Sequence, residues 1–202
     1  TRPRGKLVVR YHSDVIRQAT AMKVYRPFQN ALLRNAEVII PTSQNYVDTS
    51  ETLAPFRDKC NVISLGMSPE DFANPDAALF ESYREKYGEK FLLFAGRHRY
   101  YKGLHVLVEA AQWINVPIVV AGDGPESPAL IAQAKDLGVD LHFPGTLSQE
   151  EMVAHLHASS VVAFPSVERS EAFGISIMEA HACGKPVVAT KLGTGVEFIN
   201  AD

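Results

Sequence analysis

Five short apolar runs punctuate the second half of this chain: Phe91-Leu-Leu-Phe-Ala95, Pro117-Ile-Val-Val-Ala121, Leu141-His-Phe143, Val161-Val-Ala-Phe164 and Val187-Val-Ala189. Each is too short for a helix, rich in β-branched or aromatic residues, and bounded by Gly, Pro or Ser. Between them lie segments of helical length: Leu104–Trp113, Ser127–Leu137, Gln149–Ala158 and Gly174–Ala182. Strands without polar alternation that alternate with helices predict an α/β, Rossmann-like parallel sheet covered on both faces. The punctuation agrees. Gly138 follows one helix, Ser148 precedes another as its N-cap, and Gly184 with Pro186 stops the helix before the last strand.

The first half is less regular. Leu7–Tyr11 reads as a strand, with a helix-like segment from Val15 to Tyr25. Pro27 restarts a helix through Asn35, Val38–Ile40 is a strand, Gln44–Leu53 a helix and Val62–Leu65 another strand. After Gly66 the chain turns and becomes polar around Asn74-Pro75-Asp76 before a charged helix, Leu79–Tyr87. We therefore expect a partial Rossmann domain over residues 1–66 and a second over 67–202, truncated at its end. Both ends look cut.

Composition narrows the function. A formal charge of −3 gives no basic footprint for nucleic acid. Two widely separated cysteines, Cys60 and Cys183, suit thiols in a reducing compartment. No stretch approaches a transmembrane span, and no signal peptide is seen. His155 and His157 stand two apart on a helix and face different ways, and no Asp-x-Asp occurs, so no metal site is expected.

Ligands of such sheets bind at the carboxyl ends of the strands. Along that edge the sequence places Gly96-Arg97, Gly122-Asp-Gly124, Pro144-Gly-Thr146, Pro165-Ser166 and Glu171. Arg97 and Lys102, between Gly96 and Gly103, offer a planar fork and a point charge, which suits a diphosphate. Free amides at the helix start near Gly174, Ile175 and Ser176 offer an anion site. Glu171 before that helix and Glu179 within it can each accept hydrogen bonds from a diol. Gly122-Asp-Gly124 is only a partial dinucleotide fingerprint, because position 127 is Ser.

The spacing Glu171-x7-Glu179 with Phe173-Gly174 after the first glutamate, followed by Gly184-Lys-Pro-Val-Val-Ala-Thr190, resembles the nucleotide-sugar site of retaining glycosyltransferases of family 4 (group 1), which have the GT-B fold. Tyr11-His-Ser-Asp-Val-Ile-Arg-Gln18 is similar to a segment of bacterial exopolysaccharide and O-antigen transferases. The resemblance implies transfer of a hexose, with retention, from a nucleotide diphosphate sugar to a lipid-linked or saccharide acceptor. GDP-mannose is the first guess for the donor and UDP-glucose the second. It implies that Arg97 and Lys102 hold the diphosphate, Glu179 the ribose and Glu171 a sugar hydroxyl. The amides at Phe173, Gly174 and Ile175 would orient the donor, Gly96 and Gly124 would allow close approach, Leu147 would lie on the base, and His12 would face the sugar. It further implies no cofactor or metal, and a cytoplasmic protein in peripheral contact with the inner face of the membrane. Two rivals stand beside it: a non-catalytic nucleotide-sugar-binding module, and glycoside hydrolysis by Glu171 and Glu179.

Overall fold

The computed structural model describes residues 5–14 and 19–200. By contacts the chain divides into two compact units. The first is residues through Gly66 with Glu168–Gly174 and Lys191 onward; the second is Met67–Val167 with Ile175–Thr190.

In the first unit, β1 (Val8–Arg10) and β2 (Val38–Ile40) pair in parallel, Val8 opposite Val38 and Arg10 opposite Ile40. Between them runs α1 (Ala19–Asn35), and after them α2 (Gln44–Thr49), capped by the Ser43 side chain on the Tyr46 amide. A short helix, α8 (Gly195–Ile199), carries a reciprocal Thr194–Glu197 capping box. Leu33, Ile39, Tyr46, Leu53 and Phe56 form the core.

Two sequence expectations fail here. The helix runs unbroken across Pro27, although proline removes one helical N–H; residues 15–18 of the expected segment lie outside the described residues. Val62–Leu65 is not a strand. Asn61 and Ile63 donate single bonds to the Ile39 and Pro41 carbonyls, and Val62 and Ile63 face solvent, so no buried face holds a ladder there.

The second unit begins with α3 (Ala77–Tyr87) and continues through β3 (Leu92–Ala95), α4 (Leu104–Ala110), β4 (Ile118–Ala121), α5 (Ser127–Leu137), β5 (Leu141–Gly145), α6 (Gln149–Ala158), β6 (Val161–Phe164), α7 (Ile175–Ala182) and β7 (Val187–Ala189). The five strands form one parallel sheet in the order β5-β4-β3-β6-β7. Alternate residues of β3 fill opposite cores. Leu92 and Phe94 join Leu104, Leu107 and Leu130, whereas Leu93 and Ala95 join Tyr87, Val153, Leu156 and Ala180. Both faces are covered, which is why the strands read as unbroken apolar runs. Gly138 ends α5 in the left-handed conformation, and Ser148 with Glu151 closes a capping box on α6. The turn expected at Pro144-Gly145 is instead the end of β5. It is an edge strand, so Pro144 breaks no central ladder, and the register shifts between Val119 and Ala121.

Two histidines lie inside this unit. His98 and His155 are each 1% exposed, and burial pushes both rings below the ordinary histidine value. The unfolded chain therefore takes up protons first as pH falls, and stability present above about 6.5 is lost below it, by up to about 1.4 kcal/mol per pH unit for each ring. Glu179, whose carboxyl burial pushes up, acts in the opposite sense. Urea unfolding between pH 7.5 and 5.5 should show falling stability, with a shallower slope in His155→Phe. Equal slopes in parent and variant would refute the account.

Candidate functional site

The chain crosses from β5 back over the sheet to β6, so its direction reverses between β3 and β6. Ligands bind at such a reversal, beyond the carboxyl ends of the strands. Gly96-Arg97-His98-Arg99-Tyr100-Tyr101-Lys102-Gly103 leaves β3 at that place. Arg97 is exposed and Lys102 half-buried. The Lys102 ammonium stands 5.1 Å from the centroid of Phe164, the last residue of β6, and 5.5 Å from that of Tyr101. On α7, Glu179 is partly buried. Desolvation raises its carboxyl above the ordinary value, and the Lys102 charge pulls it back. A cation seated against the last residue of β6 and a partly buried carboxylate on α7 thus both lie in this unit, and each feels the other's charge. Hydroxyl donors arriving at Glu179 would restore the solvation it has lost.

Glycines shape the loop. A Cβ on Gly122 would lie 1.9 Å from the Gly96 carbonyl oxygen, one on Gly124 2.3 Å from that of His98, and one on Gly103 1.9 Å from that of Pro165. The absent side chains of Gly122 and Gly124 therefore admit the backbone of the Arg97 loop. Val167 N–H also donates to the Tyr101 carbonyl at 2.8 Å, tying the same loop to the end of β6. Leu147 packs on the core that contains Val153 and Leu156.

Of the remaining sequence candidates, Ile175 opens α7 in the second unit and is exposed, and the others belong to the first unit. His12 is exposed. Glu171 is 9% exposed and its N–H donates to the Glu168 carbonyl at 3.0 Å. Phe173 is buried, and Gly174 has φ +94°, where other residues are strained. Sequence reasoning missed the group beside them. Asp14 Oδ1 accepts from the Tyr11 hydroxyl at 2.7 Å and from Ser50 Oγ at 2.9 Å, and its N–H donates to the Tyr46 hydroxyl. Arg169 Nη2 lies 3.9 Å from Asp14 Oδ2, its guanidinium 5.3 Å from the Tyr46 centroid, and Nη1 donates to the Gly193 carbonyl at 2.9 Å. Burial and the Asp14 charge push both phenols up. One polar group thereby fixes the segment two residues from His12 and the segment two residues from Glu171. No spacing in the sequence signals it, because Asp14 and Arg169 meet only in the fold.

His155 and His157 sit apart from this chemistry. His155 Nδ1 lies 2.7 Å from the Glu151 carbonyl oxygen and His157 Nε2 2.8 Å from that of Phe72. Both cysteines are free, and burial raises the Cys183 thiol to about 11. Among the described residues no helix is long and apolar enough to cross a membrane.

Residues 76–202 match the family described as "Glycosyl transferases group 1". The D-rhamnosyltransferase WbpZ of Pseudomonas aeruginosa is 44% identical over 194 residues, covering 96% of this chain and 51% of that protein. The O-antigen chain mannosyltransferase C of Escherichia coli is 39% identical over 202 residues, covering 100% of this chain and 54% of the relative. The chain thus spans about half the length of these curated relatives. Among solved structures, Anabaena Alr3699/HepE in complex with UDP and glucose superposes with a TM-score of 0.81 at 23% identity, over 96% of this chain and 55% of that one. That likeness speaks for the fold alone.

Proposed function

The chain belongs to the group 1 glycosyl transferases, and from that premise we propose that it forms the donor-binding part of a retaining hexosyltransferase. In this reading Arg97 and Lys102 bind the diphosphate of a nucleotide sugar, Glu179 accepts from the ribose hydroxyls, and Glu171 accepts from a sugar hydroxyl. Gly96 and Gly174–Ile175 line the phosphate path, Phe173 supports the sugar end, Leu147 borders the base, and His12 faces the transferred sugar. The observation that carries it is the placement of Lys102 against Phe164 at the end of β6, in the same unit as the partly buried Glu179 of α7, where the strand order reverses between β3 and β6. Charge building on the leaving diphosphate would be met by fixed cations, which is electrostatic catalysis. The acceptor oxygen forms its bond to the anomeric carbon on the face from which the diphosphate leaves, and a diphosphate oxygen takes the acceptor proton. No metal or cofactor is needed in this scheme.

The relatives' names favour a manno-configured donor, since D-rhamnose is 6-deoxymannose, so GDP-mannose or its 6-deoxy counterpart comes first and UDP-glucose second. The acceptor is a lipid-linked saccharide or polysaccharide. Peripheral contact with a membrane surface has support in α1, where Val24, Tyr25, Phe28 and Leu32 are exposed beside exposed Arg26 and Arg34.

Calorimetry tests the assignment. Arg97→Ala or Lys102→Ala should weaken GDP or UDP binding about tenfold or more, corresponding to the roughly 1.5–3 kcal/mol of a charge-assisted bond, and spare the nucleoside. Glu179→Ala should weaken nucleotide and nucleotide sugar alike. Glu171→Ala should weaken only the sugar-bearing donor. If both glutamate variants lose free nucleotide equally, Glu171 does not act on the sugar.

A further inference from the structure

Arg97 projects from a loop, yet the residue after it is among the most buried in the chain. His98 is 1% exposed, with Phe94 and Phe143 at ring-centroid distances of 6.2 and 6.3 Å. Its backbone is held from both sides. The His98 N–H donates to the Asp123 carbonyl at 2.9 Å, and its carbonyl accepts from the Glu126 N–H at 3.2 Å.

The ring adds a third tie. His98 Nδ1 lies 2.8 Å from Ser127 Oγ, and Ser127 Oγ lies 2.7 Å from Asp123 Oδ1. Asp123 also accepts from the Gly124 N–H at 2.7 Å, and bonds from Ser127 and Gly124 hold its carboxyl below the ordinary value. An ionised carboxylate only accepts, so the single Ser127 hydroxyl proton goes to Asp123. The Ser127 lone pairs then accept from the Gly124 N–H, 3.0 Å away, and from His98 Nδ1–H. This order makes Nδ1 the donor of the neutral ring; the Ala121 backbone is a polar neighbour of the ring, but buried Nε2 makes no hydrogen bond of ordinary geometry. Burial, which disfavours the charged ring, acts in the same direction.

A histidine wanted only for packing would not need this chain. Leu or Phe would fill the volume without leaving a buried nitrogen unpaired, which costs about 1–3 kcal/mol. The ring nitrogen that is used joins the Arg97 loop, after β3, to the start of α5, after β4. On the other side of Arg97, the Gly96 N–H donates to the Ala121 carbonyl at 3.1 Å, so the loop is held at its start by the strand end and after Arg97 by His98.

We propose that His98 is the positioning residue of the diphosphate subsite: through Ser127 and Asp123 it fixes the backbone beside Arg97, so that the guanidinium is presented at the carboxyl end of β3. This rests on the reading of Arg97 as a diphosphate ligand. Isosteric replacement separates positioning from packing. His98→Asn keeps an N–H close to the place of Nδ1–H, whereas His98→Leu keeps apolar bulk and loses the donor.

The test uses the whole 202-residue chain and calorimetric titration with GDP, UDP, guanosine and uridine. Thermal unfolding is followed alongside. His98→Leu and Ser127→Ala should each lower affinity for whichever diphosphate the parent binds by about tenfold. Both should leave the nucleoside affinity unchanged, and His98→Asn should stay within about threefold of the parent. Arg97→Ala is the control on the underlying reading: if it binds the diphosphate as the parent does, or the parent binds neither diphosphate, that reading fails. If Arg97→Ala loses affinity while His98→Leu and Ser127→Ala keep it, the proposal is overturned. It is equally overturned if the His98 variants weaken nucleoside and diphosphate alike with no recovery in His98→Asn. Should His98→Leu not fold, Ser127→Ala on its own decides between these outcomes.

Discussion

Gly122→Ala should destabilise the five-stranded unit by about 3 kcal/mol or more and remove nucleotide binding with it. Gly122 has φ +119°, and a Cβ there would lie 1.9 Å from the Gly96 carbonyl oxygen and 2.8 Å from its carbon. Neither partner can retreat. Gly122 N–H donates to the Gly145 carbonyl at 2.8 Å, and Gly96 N–H donates to the Ala121 carbonyl at 3.1 Å, so both backbones are pinned at the ends of strands. Relief requires moving the start of the Arg97 loop. Gly138→Ala separates the two contributions. Gly138 has φ +65° and nothing within 4 Å of its absent Cβ, so alanine there meets only the left-handed strain of about 1–2 kcal/mol. Gly103→Ala, with φ +67° and the Pro165 oxygen at 1.9 Å, should behave as Gly122→Ala does. Urea unfolding of the three variants is the measurement. A Gly122→Ala loss no larger than that of Gly138→Ala would show that the overlap relaxes without cost.

These glycines also show what a sequence conceals. Gly122-Asp-Gly124 reads as a turn that lets a nucleotide come near, because a G-x-G pattern announces only that something approaches closely. What approaches is the backbone at Gly96 and His98, more than twenty residues earlier. Local signals fared better. The helix Ser127–Leu137 and its Gly138 stop, the Ser148 cap and the five apolar strands depend on neighbours in the sequence, and the fold keeps them. The misread elements all turn on tertiary context. Pro27 sits in a helix whose next buried residue is Gln29. Val62 and Ile63 are β-branched but lack a face to bury, and Pro144 is tolerated because β5 has an open edge.

The candidate site divides the same way. Arg97, Lys102 and Glu179 could be named from residue chemistry and a spacing, and they fall within one unit at the sheet reversal. Asp14, Arg169 and the chain from His98 through Ser127 to Asp123 could not. Their partners are 36, 155 and 29 residues away along the sequence in the contacts Ser50–Asp14, Arg169–Asp14 and His98–Ser127.

Asp14→Ala should cost the first unit about 3 kcal/mol, a value drawn from what removal of one partner does to buried polar groups. Asp14 Oδ1 accepts from two hydroxyls, those of Tyr11 and Ser50, and these residues are 7% and 1% exposed. Alanine leaves Ser50 without this acceptor and takes from the Tyr11 hydroxyl its carboxylate partner. It also leaves Arg169, whose buried Nη2 makes no hydrogen bond, without the carboxylate that balances its charge. Asp14→Asn keeps an acceptor for the hydroxyls and loses only the charge, so it should cost about 1 kcal/mol, in the range of a partly exposed ion pair. The difference between the two variants isolates the hydrogen bonds. The effect should reach the segment Glu168–Gly174, because Arg169 is what ties it to Asp14, to the Tyr46 ring and to the Gly193 carbonyl. Amide exchange across that segment should accelerate in Asp14→Ala while exchange in β3 and β4 stays at the parent rate. Glu171 would then lose its fixed place, and donor-sugar affinity should fall with free-nucleotide affinity unchanged. Parent-like exchange at Glu168–Gly174 in a destabilised Asp14→Ala would show that this segment is held by contacts other than Arg169.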